Sequence, residues 1–397
     1  MFFMDSLYKL KSDWRLNGVL ELISLINRAQ RGRADGDTLV NRVVTQILDT
    51  VIEVYDFHDF KKESKETFST NTIETKHIIR ELEGFVDLND QNQGKISLIR
   101  EKLKTIIDID QSLESVDIGV KDIIWSQVPK HTRQTVDFNV KVLLGELPDG
   151  KRVAKKTYFL KTDLNNLNIL TEIKILKKLS KNIRNEESCF LQYYGHELRD
   201  NCITIYMEGH QDSLNDYLKE LENKGLKLSK VQIRAFIGKL IDAYVEMENL
   251  GIVHKDIKPE NLLISDDRRR LKIIDFSVSK KGEWHLAPGI HPIKGTKHYM
   301  APEIFSPYIN NKSTSEYSPI KADVFSLGLT FYKMATLERT CFLNKGSTQV
   351  LIDHLNGLDL EQWVKLLLVG MLEPNYQARK SFKDCLKHLE DEETHFN

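Results

Sequence analysis

The spacing of apolar residues changes near residue 120, and that change confines the chain to two regions of different construction. Before it, Val19, Leu22, Ile23 and Ile26 fall at i, i+3, i+4 and i+7. Val44, Ile47, Leu48, Val51 and Tyr55 repeat the pattern, as do Ile96, Ile99, Leu103 and Ile106. Each set forms one stripe along a helix, and each stripe needs a neighbour to cover it. Gly32 and Gly36 punctuate the first two helices, and the polar run KKESKETFSTNT at 61–72 reads as a loop. Residues 1–118 are therefore expected to form an all-α helical bundle. After residue 120 short β-rich runs take over: VDFNVKVLLGEL (136–147), RVAKKTYFL (152–160) and CITIYME (202–208). Helical patterns follow around 229–250, 319–336 and 359–372. Strands first and helices afterwards predict an α+β domain over 119–393.

A chain of 397 residues suits two such domains, at about 100–200 residues each. Its net charge of -1 argues against a nucleic-acid or polybasic membrane partner. Cys189, Cys202, Cys341 and Cys385 lie far apart and form no C-x-x-C pair, which points to a reducing compartment. No apolar run reaches the roughly 18 residues that a membrane span requires. The expectation is a cytoplasmic protein with no membrane span and no signal peptide.

Three runs in the second region carry chemistry. HKDIKPENLLI, His254 to Ile264, gathers a carboxylate at Asp256, an ammonium at Lys258 and an amide at Asn261. A carboxylate can orient a hydroxyl and take its proton. An amide oxygen suits a hard cation such as Mg²⁺. IIDFSVSK adds a second carboxylate, Asp275, nineteen residues after Asp256. RVAKK places Lys156 on a strand, with Lys155 on its other face.

HKDIKPEN resembles the catalytic loop H-R-D-x-x-x-x-N of eukaryotic-type protein kinases, and its D-x-K-P-E-N form resembles the serine/threonine class. The resemblance implies a two-lobed kinase fold behind the helical bundle, using ATP and Mg²⁺ to phosphorylate a protein substrate. It gives Asp256 the substrate hydroxyl, Lys258 the transferring phosphate, and Asn261 and Asp275 the metal. Lys156 would hold the nucleotide's phosphates, paired with Glu172 in TEIKILKKL (171–179). Val142 and Ala154 would cover the adenine, Met207 would stand as gatekeeper, and Glu208 to His210 would form the hinge. GTKHYMAPE (295–303) resembles the end of an activation segment, with Thr296 touching the catalytic loop. Glu303 would pair with Arg379, and Asp323 in ADVFSLGL (322–329) would receive catalytic-loop amides.

The chain also departs from the family. The glycine-rich phosphate loop is missing: its three glycine positions fall on Thr135, Asp137 and Val140. Ser277 replaces the glycine of D-F-G; serine tolerates a positive φ poorly, so the flip of that segment between active and inactive positions is expected to be restricted. Lys255 replaces an arginine that grips an activation-loop phosphate bidentately, a task lysine does poorly. The stretch KKGEWHLAPGIHPIKG at 280–295 has no Ser, Thr or Tyr, so no phosphate on it is expected to be required. The run Arg268, Arg269 and Arg270 reads as a solvated turn. Two readings stand: an active serine/threonine kinase with a regulatory or docking bundle that binds an unidentified protein, and a pseudokinase acting as switch or scaffold through that bundle. The second layout resembles the mixed-lineage kinase-like effectors of cell death.

Overall fold

The structure, a computed structural model, describes residues 123–394 apart from 128–129, 135–137, 161–165, 200–201, 283–287 and 346. The expected bundle of residues 1–118 lies outside the described residues, as do Thr135 and Asp137.

The first part of the described chain is an antiparallel sheet. Its strands are β1 (Ile124–Trp125), β2 (His131–Gln134), β3 (Phe138–Glu146), β4 (Arg152–Leu160), β5 (Tyr193–Arg199) and β6 (Cys202–Glu208). β1 and β2 pair opposite ends of one edge of β3, and the sheet continues β3–β4–β6–β5. One helix, α1 (Asn166–Ser180), lies between β4 and β5 in the chain. Ile169, Ile173, Leu176 and Leu179 of α1 join Tyr158, Ile203 and Ile205 of the sheet in one apolar core. That spacing is the i, i+4, i+7 stripe of a one-sided helix.

The second part is mainly helical. β7 (Asp212–Ser213) leads into α2 (Leu214–Asn223), and α3 (Lys230–Asn249) follows. Ser213 and Ser229 start these helices with reciprocal capping boxes to Asp216 and Gln232, which satisfy otherwise orphaned amides. Next come β8 (Ile252–Val253), a 3₁₀ turn at Pro259–Asn261, β9 (Leu262–Ile264) and β10 (Leu271–Ile273). β11 (Lys280–Lys281) pairs β8, and β12 (Gly289–Pro292) pairs β13 (Thr314–Tyr317) across α4 (Pro302–Ile309). α5 (Pro319–Thr336) is apolar on nearly every face and runs through the core. α6 (Thr348–Asn356), α7 (Gln362–Met371) and α8 (Phe382–Thr394) complete the lobe. Among the described residues no helix is long and apolar enough to cross a membrane.

The left-handed residue of the D-F-S segment is Asp275, with φ 63°. Ser277 has no positive φ, and its side chain helps keep the Asp275 carboxylate ionised. In the arginine turn Arg269 is exposed, and Arg268 and Arg270 are half-buried. Arg268 pairs Asp212 at 2.8 Å and lies over the Tyr217 ring, pinning the turn to β7 and α2.

Candidate active site

Between the sheet and the helical part lies a cleft of about 640 Å³. Its apolar walls come from Val140, Val142 and Leu144 on β3, Ala154 on β4, Met207 on β6, Leu263 on β9, and Ile274. Glu208 and His210 line its closed edge, where the chain passes between the lobes. Gly209 is needed there: a Cβ would come within 2.8 Å of the Val153 backbone. The Gly209 amide donates to the Arg152 carbonyl at 3.0 Å, while the His210 amide has no partner among the described residues. An aromatic base entering this slot would find apolar faces and a free backbone donor.

Charged groups gather at the other end. Lys156 Nζ donates to Glu172 Oε1 at 2.8 Å and to Asp275 Oδ1 at 2.9 Å. Burial alone would lower the Lys156 pKa, but Asp275 and Glu172 reverse this and hold it well above its ordinary value. Burial likewise works against the Asp275 carboxylate, and the Lys156 ammonium overcomes it, keeping the group ionised.

The catalytic-loop residues form a second network. Thr296 Oγ1 donates to Asp256 Oδ1 at 2.7 Å, and Lys258 Nζ donates to Asp256 Oδ2 at 2.8 Å and to Thr296 Oγ1 at 2.6 Å. Asn261 Nδ2 donates to the Asp256 carbonyl at 2.8 Å and to Oδ2 at 3.0 Å. This leaves the Asn261 amide oxygen pointing away from those bonds. Asp323 accepts the amides of His254 and Lys255 at 2.7 and 2.8 Å. His254 is fully buried, and burial lowers its pKa, so the ring is neutral. Its Nε2 donates to the Ile274 carbonyl at 3.0 Å and its Nδ1 accepts the Asp256 amide at 3.3 Å.

The structure thus brings Lys156, Glu172, Asp256, Lys258, Asn261 and Asp275 around one cleft with Val142, Ala154, Met207, Glu208 and His210. Among the described residues no group of three His, Cys, Asp or Glu could hold a metal unaided. The oxygens of Asp275 and Asn261 do fit Mg²⁺, which takes one or two carboxylates together with phosphate oxygens and water. Val140 places a buried side chain where a phosphate loop would have glycine. Residue-level reading of the sequence missed Tyr158, whose phenol bonds Glu172 in this cleft. The signal was its position two residues after Lys156, on the same face of the strand.

The family model for the protein kinase domain matches residues 140–389. The chain belongs to the protein kinase family. This kinase domain is similar to the "Probable serine/threonine-protein kinase fnkE" of Dictyostelium discoideum, 31% identical over 182 residues, covering 45% of this chain and 13% of that protein. It is also similar to "CBL-interacting protein kinase 10" of Oryza sativa subsp. japonica, 34% identical over 180 residues, covering 42% and 36%. "Maternal embryonic leucine zipper kinase" of Xenopus tropicalis is 27% identical over 253 residues, covering 62% and 36%. The matches cover about a third or less of each relative's own length. These relatives and the D-x-K-P-E-N loop put the kinase domain with the eukaryotic serine/threonine type.

Proposed function

We propose that the chain is an active serine/threonine kinase that transfers the γ-phosphate of Mg-ATP to a hydroxyl of a protein substrate. The observation that carries this reading is the assembled state of the cleft: Lys156 bridges Glu172 and Asp275 while Asp256 is oriented by Thr296, Lys258 and Asn261.

The apolar slot takes the adenine against Val142, Ala154 and Leu263, with the His210 amide as its donor. Lys156, fixed by Glu172, holds the phosphates. Asn261 and Asp275 hold magnesium, which offsets the charge on the phosphate oxygens when bound. Asp256 accepts the proton of the substrate hydroxyl, whose oxygen bonds to the γ-phosphorus as the bond to the ADP oxygen breaks. Lys258 offsets charge on the transferred group. Positioning and charge stabilisation supply most of the acceleration in this chemistry.

The same reading makes phosphorylation of 280–295 unnecessary. The described part of the segment is held by the β12–β13 ribbon and by the Tyr317 phenol on the Pro292 carbonyl at 3.0 Å, and just before it the Ser279 hydroxyl donates to the His254 carbonyl at 2.9 Å. Lys255 lies with its ammonium 5.6 Å from the Tyr317 ring centroid, a contact that needs no phosphate.

The test is transfer of labelled γ-phosphate from Mg-ATP to a generic acceptor and to the chain itself, beside Asp256→Asn and Asp275→Asn. Transfer that both variants lose supports the kinase. No transfer by the native chain favours the pseudokinase, whose function would then lie with its helical region and that region's partner. The crowding of the phosphate end by Val140 is the feature that favours this second reading.

A further inference from the structure

Glu172 presents two carboxylate oxygens in a place shut off from water, and Lys156 occupies only one of them. Oε1 accepts the Lys156 ammonium, and Oε2 accepts the phenol of Tyr158. Glu172 and Tyr158 are each 1% exposed, so neither polar group has solvent as an alternative partner. Tyr158 stands two residues beyond Lys156 on β4, on the same face, while Glu172 belongs to α1. The phenol therefore ties α1 to β4 a second time, beside the Lys156 pair. The Lys156 ammonium also lies 5.1 Å from the Tyr158 ring centroid. A buried carboxylate with one free oxygen could turn about its last bond; one bonded at both oxygens cannot without losing a partner.

We propose that Tyr158 is a positioning residue for phosphoryl transfer, its phenol fixing the rotation of Glu172 that presents Oε1 to Lys156. The proposal rests on the kinase reading above and deepens it. With this bond in place, α1 cannot move off the sheet without taking the buried Glu172 carboxylate away from both its Lys156 and its Tyr158 partner, a costly state.

The electrostatics agree with this role. Burial and then Glu172 push the Tyr158 pKa well above its ordinary value, so the phenol stays a donor. The charged or titratable groups facing Glu172 are Lys156 and Tyr158 from β4 and Asp275 from the segment after β10. Burial, and beyond it Asp275, favours a proton on Glu172, while Lys156 and the Tyr158 hydrogen bond oppose it. Loss of the phenol O–H therefore raises the pH at which Glu172 takes up a proton and releases Lys156.

Tyr158→Phe keeps the ring and its packing and removes only the donor. Loss of one buried hydrogen bond to a charged group predicts a rise of roughly tenfold in KM for Mg-ATP, with KM for the acceptor unchanged. The acid limb of kcat/KM should move to higher pH, which a packing role alone would not cause. An independent readout needs no turnover: the infrared carboxyl band that Glu172→Gln removes should appear at higher pH in Tyr158→Phe than in the native chain. The same band titration and the same KM in both proteins would overturn the proposal. A shifted band in a chain that transfers no phosphate would uphold the hold of Tyr158 on Glu172 and sink the kinase reading alone.

Discussion

Arg379 holds both carboxylate oxygens of Glu303, at 2.8 and 2.9 Å, with its guanidinium side chain wholly closed to solvent. Its remaining donors reach the Lys321, Glu373 and Pro374 carbonyls, at 2.7, 2.8 and 3.2 Å. One side chain thus joins the start of α4, the body of α5 and the approach to α8. Arg379→Met would strand a buried carboxylate and three carbonyls. Removal of one partner from such a pair costs about 3–5 kcal/mol. Urea unfolding should show a loss of that size for Arg379→Met and a smaller one for Glu303→Gln, whose amide still accepts. A loss below about 1 kcal/mol for Arg379→Met would contradict this account.

Lys255 supports a second prediction. Burial lowers its pKa to about 8, Lys280 and Lys294 push the same way, and Asp323 opposes them. A folded pKa below the ordinary 10.5 means that the folded state resists the charge. Stability should then rise with pH between about 8 and 10.5, and the charge should be a burden at pH 7. Lys255→Met should stabilise the protein at pH 7 by about 1 kcal/mol, after loss of the contact with Tyr317 is subtracted. Phosphatase-treated protein of either type should transfer phosphate at rates within about threefold of each other, a spread of under 1 kcal/mol. A phosphatase-sensitive activity that Lys255→Met abolishes would show instead that this lysine serves a phosphate.

Much of the frame was legible because its signals are local. β4 and β6 occupy the runs 152–160 and 202–208 expected from their β-rich composition, and α5 fills the expected 319–336. The candidate site's residues could be picked out because they sit at fixed spacing within short runs. The β12–β13 ribbon was not: it joins four residues to four across α4, and both strands are short, with polar residues and a proline. The partner of Tyr158 was hidden for a related reason, since spacing gives a strand residue its face but not the helix it meets. Which residue takes the left-handed backbone was hidden too, since it is a dihedral fact, and the chain puts it at Asp275.

The hinge carries a pH dependence of its own. Glu208 accepts the Gln192 amide at 3.1 Å and lies 2.9 Å from His210 Nε2 and 3.3 Å from Lys272 Nζ. Burial would raise its pKa, but the His210 hydrogen bond and Lys272 bring it down to about 2, from an ordinary 4.5. The folded pKa is depressed, so the stabilisation is fully present above pH 4.5 and lost as the pH falls through about 2. A shift of this size corresponds to at most about 3 kcal/mol at pH 7. Glu208→Gln should destabilise the protein at pH 7 and flatten the fall in unfolding free energy between pH 5 and pH 3. Parallel acid slopes for the two proteins would rule this out.

Ser277 gives the last test. It stands two residues after Asp275, which holds a left-handed backbone at φ 63°. Lys156 secures the Asp275 carboxylate at 2.9 Å. Ser277→Gly removes a side chain that favours the ionised Asp275 and adds backbone freedom next to it, without touching Lys156. Hydrogen exchange of the amides from 275 to 279 should quicken, while turnover with Mg-ATP stays within about threefold because the carboxylate keeps its ammonium. A turnover loss above about tenfold, with exchange unchanged, would mean that the serine acts on the reacting groups themselves and not on the freedom of the segment.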